Sequence, residues 1–150
     1  MTFPSQDGLL PLSEHFRRAQ IAAGSVRRLA VRQRTIMRQS VTSDVIIGLT
    51  DAFNGQRQII MAARSAPGIR QWVRDQYGNQ ARDIVADLDA MVAALDDVIQ
   101  HIFNTFPKSS NGFMERDTLN SDGSVTERVF QPNQVAQLRN LLGALVATID

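Results

Sequence analysis

The stretch that decides the fold is IVADLDAMVAALDDVIQHIFNTF, residues 84–106. Its large apolar residues recur at alternating intervals of four and three, which is the period of one face of an α-helix. They are Ile84, Leu88, Met91, Leu95, Val98, Ile102 and Phe106, with Val92, Ile99 and Phe103 beside them. A stripe this wide has to be buried against other elements. The sequence therefore predicts a central helix, from about Gln80 to just before Pro107, on which the other helices pack.

A second apolar stripe follows Pro132, a residue that suits the first turn of a helix. Its members are Val135, Leu138, Leu142, Leu145 and Ile149. The spacing is again three and four, so this C-terminal helix is predicted to pack on the central one.

Three more helices are predicted before the central one, and the third is a short helix that begins after Pro67, runs through Tyr77 and ends at Gly78-Asn79. Ser13 is a candidate N-cap for the first, which would run to about residues 37–39, and Thr42 or Ser43 for the second, which would reach about Ala63. One side of the first helix is rich in small residues, which bury little area but allow another helix to approach closely. That side consists of Ala19, Ala22, Ala23, Val26, Leu29, Ala30 and Met37. A helix of this kind gains stability from a partner.

The period changes from helical to strand-like after residue 112, which predicts a hairpin at about residues 113–130. The two strands would be Phe113–Leu119 and Val125–Phe130. Asp122-Gly123 is a strong signal for a two-residue type I′ turn, in which Ser121 would face Ser124. The predicted fold is mainly α, a bundle of long amphipathic helices with one β-hairpin before the C-terminal helix.

The domain organisation follows from length and composition. A chain of 150 residues suits a single domain, here predicted over residues 13–150, after an extended arm at 1–12 that contains Pro4, Gly8 and Pro11. The arm lacks a basic start followed by an apolar core, so no signal peptide is predicted. No apolar run reaches the roughly 18–20 residues that a membrane helix needs, so no membrane partner is predicted.

The residues predict no catalytic, cofactor-binding or metal-binding site, and we expect a protein that is not an enzyme. The chain contains no cysteine, and its two histidines, His15 and His101, are far apart. Asp83 and Asp87 share a helix face, but no histidine or second carboxylate pair joins them in a di-metal pattern. A solvated acidic face is the better interpretation.

Charge is distributed unevenly along the chain. Residues 1–40 contain seven arginines and two acidic residues, whereas residues 41–150 contain nine basic and thirteen acidic residues. The seven are the candidate partner or phosphate contacts: Arg17, Arg18, Arg27, Arg28, Arg32, Arg34 and Arg38. They could neutralise phosphates, but no aromatic residues alternate with them to stack bases. Pairing with an acidic protein surface, on the central helix of the same or a neighbouring chain, is therefore favoured over nucleic-acid contact.

Two stretches resemble a known group of proteins. The first runs from APGIRQWVRDQY, residues 66–77, through the acidic helix to NTFP at residues 104–107. The second is DGSVTERVF, residues 122–130, which leads into QLRNLLGALVATI at residues 137–149. Together, over about the last 85 residues, they resemble small uncharacterised helical proteins encoded in the structural-gene modules of tailed bacteriophages.

The resemblance implies a virion component, such as a neck, tail or capsid-associated protein, present in several copies. It would reside in the virion, and in the bacterial host cytoplasm during assembly. Its partners would be further copies of itself and other virion proteins. The alternatives are a small helical nucleic-acid-binding protein that uses the seven arginines, and a helical adaptor or regulator that binds one host protein.

Overall fold

The predicted central helix forms and is surrounded by the other helices. The computed structural model describes residues 10–106, 118–126 and 128–150. In these ranges the α-helices are α1 (Leu12–Ile36), α2 (Ser43–Arg64), α3 (Ile69–Tyr77), α4 (Ile84–Thr105) and α5 (Ala136–Ile149), the last preceded by a 3-10 turn at Pro132–Val135. The fold is mainly α, as predicted. The predicted arm lies, apart from its last residues, outside the described ranges.

Four of these helices form an antiparallel bundle. α4 packs against α2 on one side and α5 on the other, and α1 packs against the same two helices. α1 and α4 therefore occupy opposite corners. The short helix α3 packs on α4 and on the beginning of α1. Each long helix thus buries its apolar stripe toward a shared axis.

Most of the core consists of residues that the helical periodicity indicates, but Phe103, which was predicted beside the α4 stripe, is 57% exposed. Ile84, Met91 and Ile149 are only partly buried. Leu88, Leu95 and Val98 of α4 are buried, and so are Leu138 and Leu142 of α5. Burying one such side chain contributes roughly 1.5–3 kcal/mol. The alanine-rich side of α1 is buried as predicted, at Ala19, Ala22, Ala23, Val26, Ala30 and Met37.

Helix starts show where local chemistry confirms or corrects the sequence analysis. The hydroxyl of Thr42 accepts a hydrogen bond from the Val45 N–H and caps α2, as predicted. The Ser13 cap is wrong, because α1 begins directly after Pro11, whose carbonyl accepts from the N–H groups of residues 14 and 15. The start of α4 at about Gln80 is also wrong, because the Asp83 carboxylate accepts from the backbone N–H groups of residues 85 and 86 and sets the first turn.

Two short strand pairs close one end of the bundle. β1 (Val41–Thr42) pairs with β4 (Val129–Phe130), and β2 (Thr118–Leu119) pairs with β3 (Val125–Thr126), both antiparallel. The Ser43 N–H continues the first ladder by donating to the Arg128 carbonyl at 2.8 Å. The ladder fixes the turn between α1 and α2 to the residues that precede α5. This pairing was not predicted from the sequence.

The hairpin exists, but its turn and register differ from the prediction. Leu119 lies opposite Val125, and the Asn120 N–H donates to the Ser124 carbonyl, so the register is shifted by one residue. Only glycines have positive φ in the described ranges, among them Gly123 at 86°. A type I′ turn needs positive φ at Asp122 as well, so a three-residue loop with a left-handed glycine forms instead. The strand segment before residue 118 lies outside the described residues.

Candidate functional site on the first helix

The seven predicted arginines do not form one cluster, because successive residues of a helix point about 100° apart. Relative to the buried stripe of α1, Arg17, Arg28 and Arg32 point away from the bundle. Arg27 and Arg34 point toward α5. The two others are Arg18, on the α2 side, and Arg38, just beyond the helix end.

The two arginines on the α5 side are used within the chain. Nε and Nη2 of Arg27 donate to the side-chain carboxylate of Asp150, which raises the pKa of Arg27 and lowers that of Asp150. The Arg34 guanidinium lies over Gly143, where an added Cβ would be 3.1 Å from Cζ. Both side chains therefore take part in packing α1 against α5.

The first turn of α1 contains a small ion-pair network. Arg17 donates to the Glu14 carboxylate at 2.6 Å and Arg18 donates to it at 3.3 Å. The hydrogen bond from Arg17 is the main cause that lowers the pKa of Glu14 from 4.5 to about 2. The carboxylate also lies near the positive end of the helix dipole, which favours its charged form.

Three further arginines have no acidic partner among the described residues: Arg28 and Arg32, which point outward, and Arg38, which lies just beyond the helix end. Within the described ranges, no carboxylate lies within ion-pair distance of Arg28, Arg32 or Arg38. Two aliphatic side chains stand among them, Ile21 with 52% of its surface exposed and Val31 with 41%. We define the α1 outer face as Arg17, Ile21, Gly24, Arg28, Val31, Arg32 and Thr35. Arginine is enriched in protein–protein interfaces, and the two half-exposed aliphatic side chains would add apolar area to such a contact.

The acidic residues of α4 are paired with other arginines. Asp89 accepts from Arg64 and Asp96 accepts from Arg57, each at 2.7 Å, so two ion pairs link α4 to α2. We call these four residues the α2–α4 clamp. The predicted pairing of the arginine helix with the central helix of the same chain is therefore wrong, because α1 and α4 are at opposite corners of the bundle.

The same arrangement repeats at the start of α4. Asp83 accepts from Arg70 at 2.9 Å, which is the main cause of its lowered pKa, and Asp87 accepts from Arg82 at 3.0 Å. Neither the clamp arginines nor Arg70 and Arg82 were singled out from the sequence. A signal was present for the clamp, because its two arginines and its two aspartates are each seven residues apart, the spacing of one helix face.

Among the described residues, the histidines and the acidic side chains are not grouped as a metal site would require. In the part of the chain that the structure describes, no three His, Cys, Asp or Glu residues are close enough to hold a metal ion. His101 lies beside the α4 stripe, with Nδ1 3.2 Å from the Thr105 hydroxyl and its ring packed edge-on against Phe106. Its Nε2 is buried with no hydrogen-bond partner among the described residues, and burial lowers its pKa.

An aromatic cluster connects α3 to the beginning of α1. The rings of Phe16, Trp72 and Tyr77 have centroids 5.6–6.4 Å apart. Beside them is an open cavity of about 370 Å³ that Val73 and Ile84 also line. Aromatic pairs at this spacing stabilise a contact beyond the area they bury. The cluster therefore accounts for the position of α3, and it was not predicted from the sequence.

Comparisons with known proteins give no match, so a function has to be inferred from the geometry of the chain itself. No protein-family model, no curated protein and no solved structure matches this chain. Among the residues that the structure describes, no helix is both long enough and apolar enough to cross a bilayer. The α1 outer face is the feature from which we infer a function.

Proposed function

We propose that this protein is a non-enzymatic structural or assembly component that acts through protein–protein contacts in a multi-copy assembly. The α1 outer face is the observation that carries this proposal. The resemblance of the last 85 residues or so to proteins of tailed-bacteriophage structural-gene modules adds the setting, a virion in which the protein is associated with the neck, tail or capsid.

The chemistry of the α1 outer face supports a protein partner. Arg28 and Arg32 are one helical turn apart and have no acidic partner among the described residues. Ile21 and Val31 flank them and are half-exposed to solvent. A partner that covers both kinds of side chain gains apolar burial from the aliphatics and charge-assisted hydrogen bonds from the guanidinium groups. Such a partner presents carboxylates next to small or apolar residues.

Nucleic-acid binding is the alternative, and the unpaired arginines favour it. Arg28, Arg32 and Arg38 could follow a phosphate backbone. The aliphatic residues among them count against it, because an aliphatic side chain placed against a phosphate displaces water from the charge and offers no hydrogen bond in return. Salt dependence separates the two functions, since phosphate binding weakens steeply as salt rises.

The first experiment is the solution mass by light scattering, at low and high salt, with and without duplex DNA. A defined oligomer that forms without DNA supports the assembly function. A monomer that shifts only with DNA, and loses the shift at high salt, supports nucleic-acid binding instead.

The virion setting is tested separately by quantitative mass spectrometry of particles from the phage or prophage that carries the gene. Several copies per particle support the proposal. Intact particles that lack the protein contradict it, whatever the isolated protein does in solution.

A further inference from the structure

The exposed side of α2 has a charge opposite to that of the α1 outer face. We define the α2 outer face as Asp44, Gly48, Asp51, Gly55, Gln58 and Ala62, all of them on the side of α2 that points away from the buried stripe. Within the described ranges, no basic side chain pairs with Asp44 or Asp51. A Cβ added to Gly48 or Gly55 would meet nothing within 4 Å. The half of this face near Asp44, Gly48 and Asp51 is acidic and has small side chains. Gly55, Gln58 and Ala62, in the other half, also line a cavity with Arg18 of the same chain.

The two faces are complementary in size as well as charge. Both consist of positions spaced three and four apart, as any one side of a helix does, so the spacing itself carries no information. The residue types at these positions are informative. The α1 outer face presents long arginines and half-exposed aliphatic side chains, and the α2 outer face presents aspartates and glycines. Long side chains of one helix pack into the gaps between small residues of another.

The positions along the bundle also match. Arg28 lies eight residues before the end of α1, and Asp51 lies eight residues after the start of α2. Val31 and Gly48 are each five residues from the same turn. Because α1 and α2 are antiparallel and joined by a short turn, each pair lies at about the same height. Within one chain the members of a pair point away from different corners of the bundle.

A second copy brings these faces together. A copy rotated about an axis parallel to the bundle keeps its helix directions, so its α2 is antiparallel to α1 of the first copy. Arg28 then reaches the level of Asp51, and Val31 reaches the open space at Gly48. A contact between two α1 outer faces would instead oppose arginine to arginine, which is unfavourable.

We propose that the α1 outer face of one copy packs on the α2 outer face of the next copy. The inference rests on the proposed multi-copy assembly and names the surface that builds it. The contact is head-to-tail, so repetition gives a ring if the rotation closes and a filament if it does not.

Charge reversal tests the contact by light scattering. We expect wild-type protein to form an oligomer, and Arg28→Glu and Asp51→Arg each to weaken association by about tenfold or more, since each opposes like charges in the interface. Arg74→Glu is the matched control. It reverses an exposed charge on α3 and should leave the mass unchanged.

Recombining the charges identifies the partner face. The double variant R28E/D51R restores opposite charges at every junction and should recover the oligomer. An equimolar mixture of the two single variants should also associate, because every junction between unlike chains pairs Glu with Arg or Arg with Asp. If the two faces do not meet, neither the double variant nor the mixture of single variants should recover the oligomer.

Steric blocking provides a second test of the contact that does not depend on charge. Gly48→Trp places a large side chain on the α2 outer face, at a position where an added Cβ meets no other residue of its own chain within 4 Å. We expect a helical, cooperatively melting protein of reduced mass. A monomeric wild type overturns the proposed contact, and so does an oligomer that these variants leave intact. Neither result bears on whether the protein is present in virions, which the particle analysis decides.

Discussion

Arginines on two sides of this bundle differ in whether an acidic residue pairs with them. In the α2–α4 clamp, Arg57 and Arg64 are each held by an aspartate of the facing helix at 2.7 Å. On the α1 outer face, Arg28 and Arg32 meet no carboxylate among the described residues. The same residue type therefore joins two helices of one chain in the first region and faces outward in the second. The number of arginines in a helix does not reveal which role they have.

The difference follows from the square arrangement of the bundle. α4 carries four of the eight acidic residues of the described helices. Arg57 and Arg64 of α2 pair with two of them, and Arg70 of α3 pairs with Asp83 at the N-cap of α4. α1 is diagonal to α4, so its outward arginines are out of reach of that acidic surface. Surface ion pairs contribute little to stability, typically about 0–1 kcal/mol each. The clamp therefore affects which helices lie side by side more than how stable the fold is.

Disrupting the shared core should have the largest effect, because both regions depend on it. Leu95→Asp would place an unpaired charge at a fully buried position of α4, and we expect a loss of about 4 kcal/mol or more, enough to unfold a domain of ordinary stability. Circular dichroism and a thermal melt measure it. Ala93→Asp is the control, because residue 93 is exposed on the same helix.

Leu142→Asp makes the same test from α5. If either variant kept wild-type helicity and melting temperature, the packing of α4 between α2 and α5 would be incorrect.

Glycine substitutions should have the next largest effect and should differ in sign. Gly48→Ala and Gly55→Ala each add a methyl group in open space within a helix, so we expect a gain of roughly 0.5–1 kcal/mol each from helix propensity. Gly123→Ala should instead cost about 1 kcal/mol, because φ at that turn is 86°. Urea midpoints of monomeric protein measure all three. A loss of stability at Gly48 would mean that α2 is not exposed there.

The clamp itself should give a smaller effect. In a double-mutant cycle of Arg57→Ala and Asp96→Ala, we expect a coupling of about 0.5 kcal/mol, because both side chains are partly exposed and solvent screens the pair. Arg28→Ala should leave the stability of the monomer nearly unchanged. Denaturant melts at low protein concentration compare the two. If Arg28→Ala lowered the free energy of unfolding as much as Arg57→Ala does, the α1 outer face and the α2–α4 clamp would not differ in the way described.

Strong helical periodicity made most of the core predictable. Most of the α4 stripe, of the alanine side of α1 and of the α5 leucines is buried where the spacing indicates. Phe103 is the exception, because it lies at the edge of the α4 stripe and is exposed. Thr42 was also predictable as a cap, because a hydroxyl before an apolar helix has few other local roles. These features depend on neighbouring residues, which one sequence displays directly.

The remaining features depend on partners that are distant in sequence. β1 and β4 are two residues each, too short to show a period, and Val41 pairs with Phe130. The direction of Arg27 and Arg34 toward α5 depends on where α5 packs. The hairpin register depends on whether Asp122 adopts positive φ, and its residue type permits either turn. The candidate site could be predicted as a set of arginines, but not divided into paired and unpaired members.

Acidification should have the smallest effect on the free energy of unfolding, and we expect the effect to come from the His101 imidazole of α4. Burial lowers the pKa of His101 below its ordinary value of 6.5, and its Nε2 has no partner among the described residues that could stabilise a proton. Below about pH 6.5 the unfolded chain therefore binds this proton more readily than the folded chain does. The contribution of His101 to stability should therefore be complete above that pH and should decrease as the pH falls below it.

The urea midpoint at pH values on either side of 6.5 measures this effect, with His101→Gln as the matched variant. Glutamine does not titrate, so the variant should lose the part of the pH dependence that His101 causes. The acidic groups held by arginine act at lower pH, since Arg17 lowers the pKa of Glu14 to about 2. A wild-type midpoint that rises on acidification, or one that falls equally in the variant, would mean that the ring is not buried. The packing of α4 around residue 101 would then differ from that described.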